Sequence, residues 1–296
     1  MRSFKRWAPG LLLVSPSLVL LGVFVYGFIG WNAKVSLTDW KGQLKTNNYV
    51  GFRQYTELFN DETFHNDIRN LIVFTVVFIG GSLLVGIVLA LLMDKGVRGE
   101  NIWRSIYLFP MAISFIATAI IWRWLMDNGE GESTTGLNKL LVDAGLGALR
   151  SDWFKSESRW AIAAIALPAG WALSGYVMSL FLAGMRGVPE ELREAARVDG
   201  ATEPRVFWHV VRPMLLPVLM SAVVILAHIS LKTFDLFYAM DQKNIKIDTP
   251  ALYMWFTTFD GGFYARGAAI ATLLLLGVAT VIVPSVWYSV RAERTR

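Results

Sequence analysis

Six apolar runs, each long enough to cross a bilayer as a helix, constrain this chain more than any other feature. They lie at roughly 10–31, 70–93, 105–126, 160–184, 213–231 and 267–290. A spanning helix needs about 20 mostly apolar residues, whereas a barrel strand needs only about 10. The expected fold class is therefore an all-α integral membrane protein, with six transmembrane helices in a single domain over residues 1–296. Composition supports this. Charged residues make up 17% of the chain, against about 25% in an average soluble domain. The first run follows a basic start, but it is long for a signal-peptide core and lacks a nearby small-residue cleavage site. It reads as a retained span.

The net charge of +5 has a topological explanation. With the N-terminus placed inside, half of the 28 Lys and Arg residues fall in the short inner segments, but only 8 of the 23 acidic residues do. Lys and Arg accumulate in cytoplasmic loops. Both termini are thus expected in the cytoplasm, and the basic excess gives no case for nucleic acid. Trp103 and Tyr107 at the start of the third run, and Trp122 and Trp124 at its end, suit the headgroup level. The outer segments are long, at 32–69, 127–159 and 232–266, and Asn128–Gly136 reads as a flexible loop. With no cysteine, the chain has no disulfide and no thiolate site. It contains no G-x-x-x-x-G-K-[ST] phosphate loop, no H-E-x-x-H pair and no nucleophile–base constellation. It is not expected to be an enzyme, or to hold a cofactor or metal.

Between the fourth and fifth runs stands "PEELREAARVDGATEPR", a dense cluster of charge in an apolar chain. Pro189 suits a first helical turn, followed by Glu190 and Glu191 at the positive end of the helix dipole. Val188, Leu192, Ala195 and Ala196 recur at helical spacing and form one apolar stripe. Gly200 stands where a left-handed residue would end the helix. Thr202 is placed to cap a second helix with Pro204 in its first turn. The expectation is a helix, a glycine turn and a second helix within a cytoplasmic segment, 189–212. Ala195 and Ala196 would let another surface approach closely, with Glu194, Arg197 and Asp199 supplying charge around the contact. An amphipathic helix lying on the inner leaflet is the plainer reading. It leaves the acidic residues between Glu190 and Asp199 unexplained.

A second polar group lies in the fifth run. Ser221, His228, Lys232 and Asp235 are spaced to share one helix face. A rise of ~1.5 Å per residue puts His228 a little past mid-membrane. Ionisable residues at depth mark a pathway by default. Alternatively, His228 is a core histidine, Lys232 snorkels outward and Asp235 is a loop residue paired with it. Trp171, Ser174 and Tyr176 on the fourth run, with Phe234 beyond the fifth, add the aromatic and hydroxyl groups that sugars bind through. Trp171 and Tyr176 would equally serve plain helix packing.

"EAARVDGATEPRVFWHVVRPMLLP", Glu194 to Pro217, resembles the EAA motif of permease subunits of binding-protein-dependent ABC importers. Its Asp-Gly-Ala form, Asp199–Ala201, is similar to that of the carbohydrate branch of MalF and UgpA type. "NYVGFRQYTELFND", "LKTFDLFYAM" and "GAAIATLLLL" resemble further landmarks of that branch. The large MalF outer domain and extra N-terminal helices have no counterpart, so the chain resembles the compact six-helix form. The resemblance implies the type I (MetI-like) permease fold in a prokaryotic cytoplasmic membrane. It implies a second homologous permease, two ATP-binding subunits that carry the ATP and magnesium, an extracytoplasmic sugar-binding protein and a carbohydrate substrate. It makes Glu194, Ala195, Ala196, Asp199 and Gly200 the coupling contact with the ATPase. It aligns Tyr176 and Lys232 with sugar-lining positions, and implies alternating access. A secondary transporter using Lys232 and Asp235 as an ion relay is the competing class, though neither inverted repeats nor broken helices stand out in the sequence.

Overall fold

The computed structural model describes residues 2–42, 48–129, 134–156, 158, 160–240 and 247–294. The middle of the 128–136 loop, part of the 232–266 segment and Arg296, one of the inner charges, lie outside the described residues. The described chain is helical, with one isolated bridge between Thr38 and Tyr49. The helices are α1 (Arg2–Leu21), α2 (Phe28–Ser36), α3 (Arg53–Phe59), α4 (Glu62–Asp94), α5 (Glu100–Leu108), α6 (Phe115–Leu125), α7 (Gly136–Asp143) and α8 (Ala161–Arg186). Then come α9 (Glu190–Val198), α10 (Glu203–Val206), α11 (Arg212–Met214), α12 (Leu216–Lys232), α13 (Asp235–Met240), α14 (Pro250–Trp255) and α15 (Tyr264–Arg294).

Among the described residues, four unbroken helical stretches are long and apolar enough to span a membrane: Leu12–Ser36, Glu62–Asp94, Ala161–Arg186 and Tyr264–Pro284. The first is α1 and α2 joined through a π-helical turn, Gly22–Gly27. The other two expected spans are bent. Glu100–Ala112 meets Phe115–Leu125 at 98°, and Glu203–Met214 meets Leu216–Lys232 at 62°. The straight helix expected over 105–126 is thus corrected to two segments. Pro110 lies in a 3-10 turn, Phe109–Ala112, and Ile113 is extended. Ser114 then restarts the helix, its side chain accepting the Ala117 N–H at 3.3 Å. An N-cap serine satisfies one of the donors that every helix start leaves open. At the second bend Pro213 and Pro217 each lack an N–H, and helical bonding cannot run through both positions.

The chain divides into two compact units. One comprises Asn66–Leu252 with Val278–Arg296. α8 is its most buried helix: Ile162, Ile165, Val177 and Met178 are fully enclosed. It packs against α5, α6 and α12. Gly175 permits the approach to α5, because a Cβ there would stand 1.8 Å from the Tyr107 carbonyl oxygen. α4 joins the same core. Phe74 stacks on Phe78 at 5.5 Å and meets Phe237 of α13 edge-on at 4.8 Å. Thr75 donates to Ser230 of α12 at 3.0 Å, and buried Asn70 donates to the Asp248 carbonyl at 2.9 Å. Each places a polar group at depth only with a partner, as burial requires.

The other unit comprises Met1–His65 with Tyr253–Gly277. Asn32 of α2 donates to the Ala268 carbonyl and to Thr272, both at 3.0 Å. Asp61, 19% exposed, receives the Tyr253 hydroxyl at 2.7 Å and the Arg266 guanidinium. Burial raises the Asp61 carboxyl, but hydrogen bonds from Tyr253 and from the Thr63 N–H, with the Arg266 charge, outweigh it and hold it below its usual value. Burial, then the bond to Asp61, pushes Tyr253 up to about 12. By contrast the apolar side chains of Leu12–Ile29 are exposed, Leu13 at 82%. Such a surface needs lipid or protein against it.

Candidate functional site

The charged segment after α8 folds as a helix with a defined start and stop. Pro189 is the N-cap residue of α9, one position before its first turn. This corrects the expected placement, and the reason is local. Its ψ of 130° is extended, while its carbonyl already accepts the Leu192 N–H at 3.2 Å. At the other end Gly200 has φ +83°. The Gly200 N–H bonds the Arg197 carbonyl and the Ala201 N–H bonds the Ala196 carbonyl, both at 3.0 Å. That is a Schellman stop, which glycine enters without the penalty a Cβ brings. Thr202 occupies the N-cap position of α10 without a side-chain bond, and Pro204 sits in its first turn.

The charges on α9 sort into two groups. Arg197 is held at 2.8 Å from both Glu203 and Glu190. Those bonds, to Glu203 first, raise its pKa above the ordinary arginine value. Arg197 is therefore committed within the chain, which corrects its expected place in a docking contact. Arg193 is turned inward, 15% exposed, and donates to the Met185 carbonyl at 2.6 Å. Glu191, Glu194 and Asp199 are exposed and make no ion pair among the described residues.

The expected stripe is also divided. Val188 is buried under the helix and Ala196 is half-buried. Leu192 and Ala195 face outward, with Val198 at 87% exposure. The free face of α9 is Leu192, Glu194, Ala195, Val198, Asp199 and Gly200. Val198 was missed in the sequence, though it lies three residues after Ala195, the spacing that puts two side chains on one helix face.

The residues expected along a pathway are placed on three elements. Trp171, Ser174 and Tyr176 lie on α8. Trp171 packs edge-on against Trp122 of α6 at 6.1 Å. Ser174 donates back to the Trp171 carbonyl at 3.3 Å, and Tyr176 is half-buried. His228 lies on α12, half-buried, with Nδ1 enclosed and without a hydrogen-bond partner among the described residues. Ser221 spends its hydroxyl on the Pro217 carbonyl, 2.9 Å away.

The shared face of His228, Lys232 and Asp235 does not form. α12 ends at Lys232, and Thr233 turns extended, its hydroxyl bonded to the Ile229 carbonyl at 2.7 Å. Asp235 opens α13, and Phe234 stacks on Tyr238 at 5.2 Å. Lys232 and Asp235 are both exposed and form no ion pair with each other among the described residues. A cavity of 540 Å³ lies elsewhere, lined by Ile120, Arg123, Trp124, Asp127, Phe154, Lys155 and Met240.

Residues 82–291 match the family described as binding-protein-dependent transport system inner membrane component. A probable ABC transporter permease protein of Pyrococcus horikoshii is 38% identical over 285 residues, covering 96% of each chain. The xylose/arabinose import permease protein XacH of Haloferax volcanii is 34% identical over 275 residues, 91% of this chain and 84% of that one. Among solved structures, a chain of a bacterial alginate ABC transporter, in complex with an alginate pentasaccharide-bound periplasmic protein, superposes with a TM-score of 0.79. It is 20% identical, with 96% of this chain and 94% of that one covered, and it shares the fold. With the family match spanning more than two thirds of its length, this chain belongs to the inner-membrane permease components of binding-protein-dependent transport systems.

Proposed function

We propose that this permease is one half of the membrane channel of an ATP-driven carbohydrate importer. A second homologous permease completes the channel, two ATP-binding subunits dock beneath it, and an extracytoplasmic binding protein delivers sugar. Both termini and α9 face the cytoplasm in this reading. The observation that carries it is the free face of α9. Glu190, Arg193 and Arg197 are tied down within the chain, but Glu194 and Asp199 are left open beside Ala195 and Val198. Unpaired carboxylates ringing a small apolar patch suit a basic-rimmed protein cleft, and anionic lipid would repel them. The carbohydrate class is supported by the xylose/arabinose and alginate systems named above. ATP and magnesium would be held by the partner subunits. Trp171, Tyr176, His228, Lys232, Phe234 and Asp235 are proposed to face the substrate path.

The test is co-purification with the ATPase subunits, alongside sugar uptake into vesicles. Glu194→Lys is expected to weaken ATPase capture and lower uptake by about tenfold, since a reversed charge meets like charge in the cleft. Undiminished capture and uptake would rule out the docking face. Uptake that persists without any ATPase subunit, and follows a proton gradient, would rule out the importer.

A further inference from the structure

Two ion pairs tie the α8–α9 junction to the link between α4 and α5. Arg193 reaches from α9 to Asp94, the last residue of α4, at 3.4 Å. The same guanidinium donates to the carbonyl of Met185, one residue before the end of α8. Arg186, the last residue of α8, meets Glu100, the first residue of α5, at 2.7 Å. Glu100 is also 3.9 Å from Arg104 on its own helix. The link between α4 and α5 is short and closes through two left-handed glycines, Gly96 and Gly99.

The Arg193 latch has the more enclosed guanidinium of the two, although its ion pair is the longer. It is the least exposed charge on α9, and its planar fork bridges two helix ends at once. Its Nε is buried without a hydrogen bond, 3.8 Å from a Glu190 carboxylate that Arg197 now holds. Because Glu190 stands on the same helix, a side-chain rotation rather than a helix shift would bring Nε to its carboxylate. A guanidinium poised between two sets of acceptors is the kind of element that responds in steps rather than continuously.

We propose that Arg193, with Asp94, passes the displacement of α9 to α4, so that α4 and α8 move with the docked helix. Arg193 is a positioning residue: it faces inward, away from the docking face, and acts through the helices it joins. The inference rests on the reading of α9 as the ATPase contact.

The experiment uses the assembled transporter, with its ATPase subunits and binding protein, in liposomes. Three quantities are read: ATPase capture, ATP hydrolysis and uptake of the sugar that the binding protein carries. For Arg193→Gln and for Asp94→Asn, capture and hydrolysis are expected to stay within about 2-fold of the unaltered complex, while uptake per ATP falls about tenfold. The double variant is expected to lose little more than either single one, as for residues that act as a pair. Parallel loss of all three quantities would reduce Arg193 to a structural brace, and unchanged coupling or additive losses would overturn the latch. Failure of the unaltered chain to capture any ATPase would instead remove the docking reading on which the latch depends.

Discussion

Asp61 shows how one carboxylate organises a unit. It accepts from Tyr253, Arg266 and the Thr63 N–H, three donors from separate parts of the sequence. Its folded pKa is held below the unfolded value near 3.8. A depressed carboxylate contributes stability that is fully present above the unfolded pKa and lost as pH falls through the folded one. Unfolding of the Met1–His65 and Tyr253–Gly277 unit, followed by hydrogen exchange around Tyr253, is therefore expected to ease as pH drops below about 4. Asp61→Asn should cost about 2 kcal/mol at neutral pH, since hydrogen bonds to a charged group are lost, and should flatten that acid response. A variant with an unaltered acid response would contradict this role for Asp61. None of this cluster was legible in the sequence, because Asp61 and Arg266 are 205 residues apart. Gly200 is the opposite case. The glycine after a short helical pattern signalled a left-handed stop, and φ +83° is what the structure has.

Elements were legible in proportion to how local their causes are. The apolar runs located the long helices because length and hydropathy suffice to mark them. The breaks were less visible. Hydropathy averages across 105–126 and hides the Pro110–Ser114 signals that divide it into α5 and α6. The end of α12 was missed similarly, since spacing alone cannot tell that Thr233 turns extended and separates Lys232 from Asp235. Packing between elements was not legible. Gly175 reads as one more small residue, yet only hydrogen on its Cα lets α8 approach the Tyr107 carbonyl. Gly175→Ala is expected to force α5 and α8 apart and destabilise the protein by about 1–3 kcal/mol. Thermal unfolding in detergent checks it. A midpoint shift no larger than that of an alanine at exposed Gly80, where nothing lies within 4 Å of a Cβ, would contradict the close approach.

For the whole molecule, the exposed apolar side chains of Leu12–Ile29 and the free face of α9 make opposite demands. The first needs lipid or another protein surface against it, and the second is the face proposed to meet a charged protein surface. Both follow from one chain that is part of a larger assembly. The absence of cysteine from the sequence allows a direct test of the second demand. Val198→Cys puts a single thiol on the more exposed of the two large apolar side chains of the free face, at 87% exposure. Its rate of modification by a water-soluble maleimide can be measured with and without the ATP-binding subunits. If α9 is the coupling contact, the subunits should slow the reaction by about tenfold or more by burying the thiol at the interface. An equal rate in their presence, with the complex shown to be assembled, would contradict it.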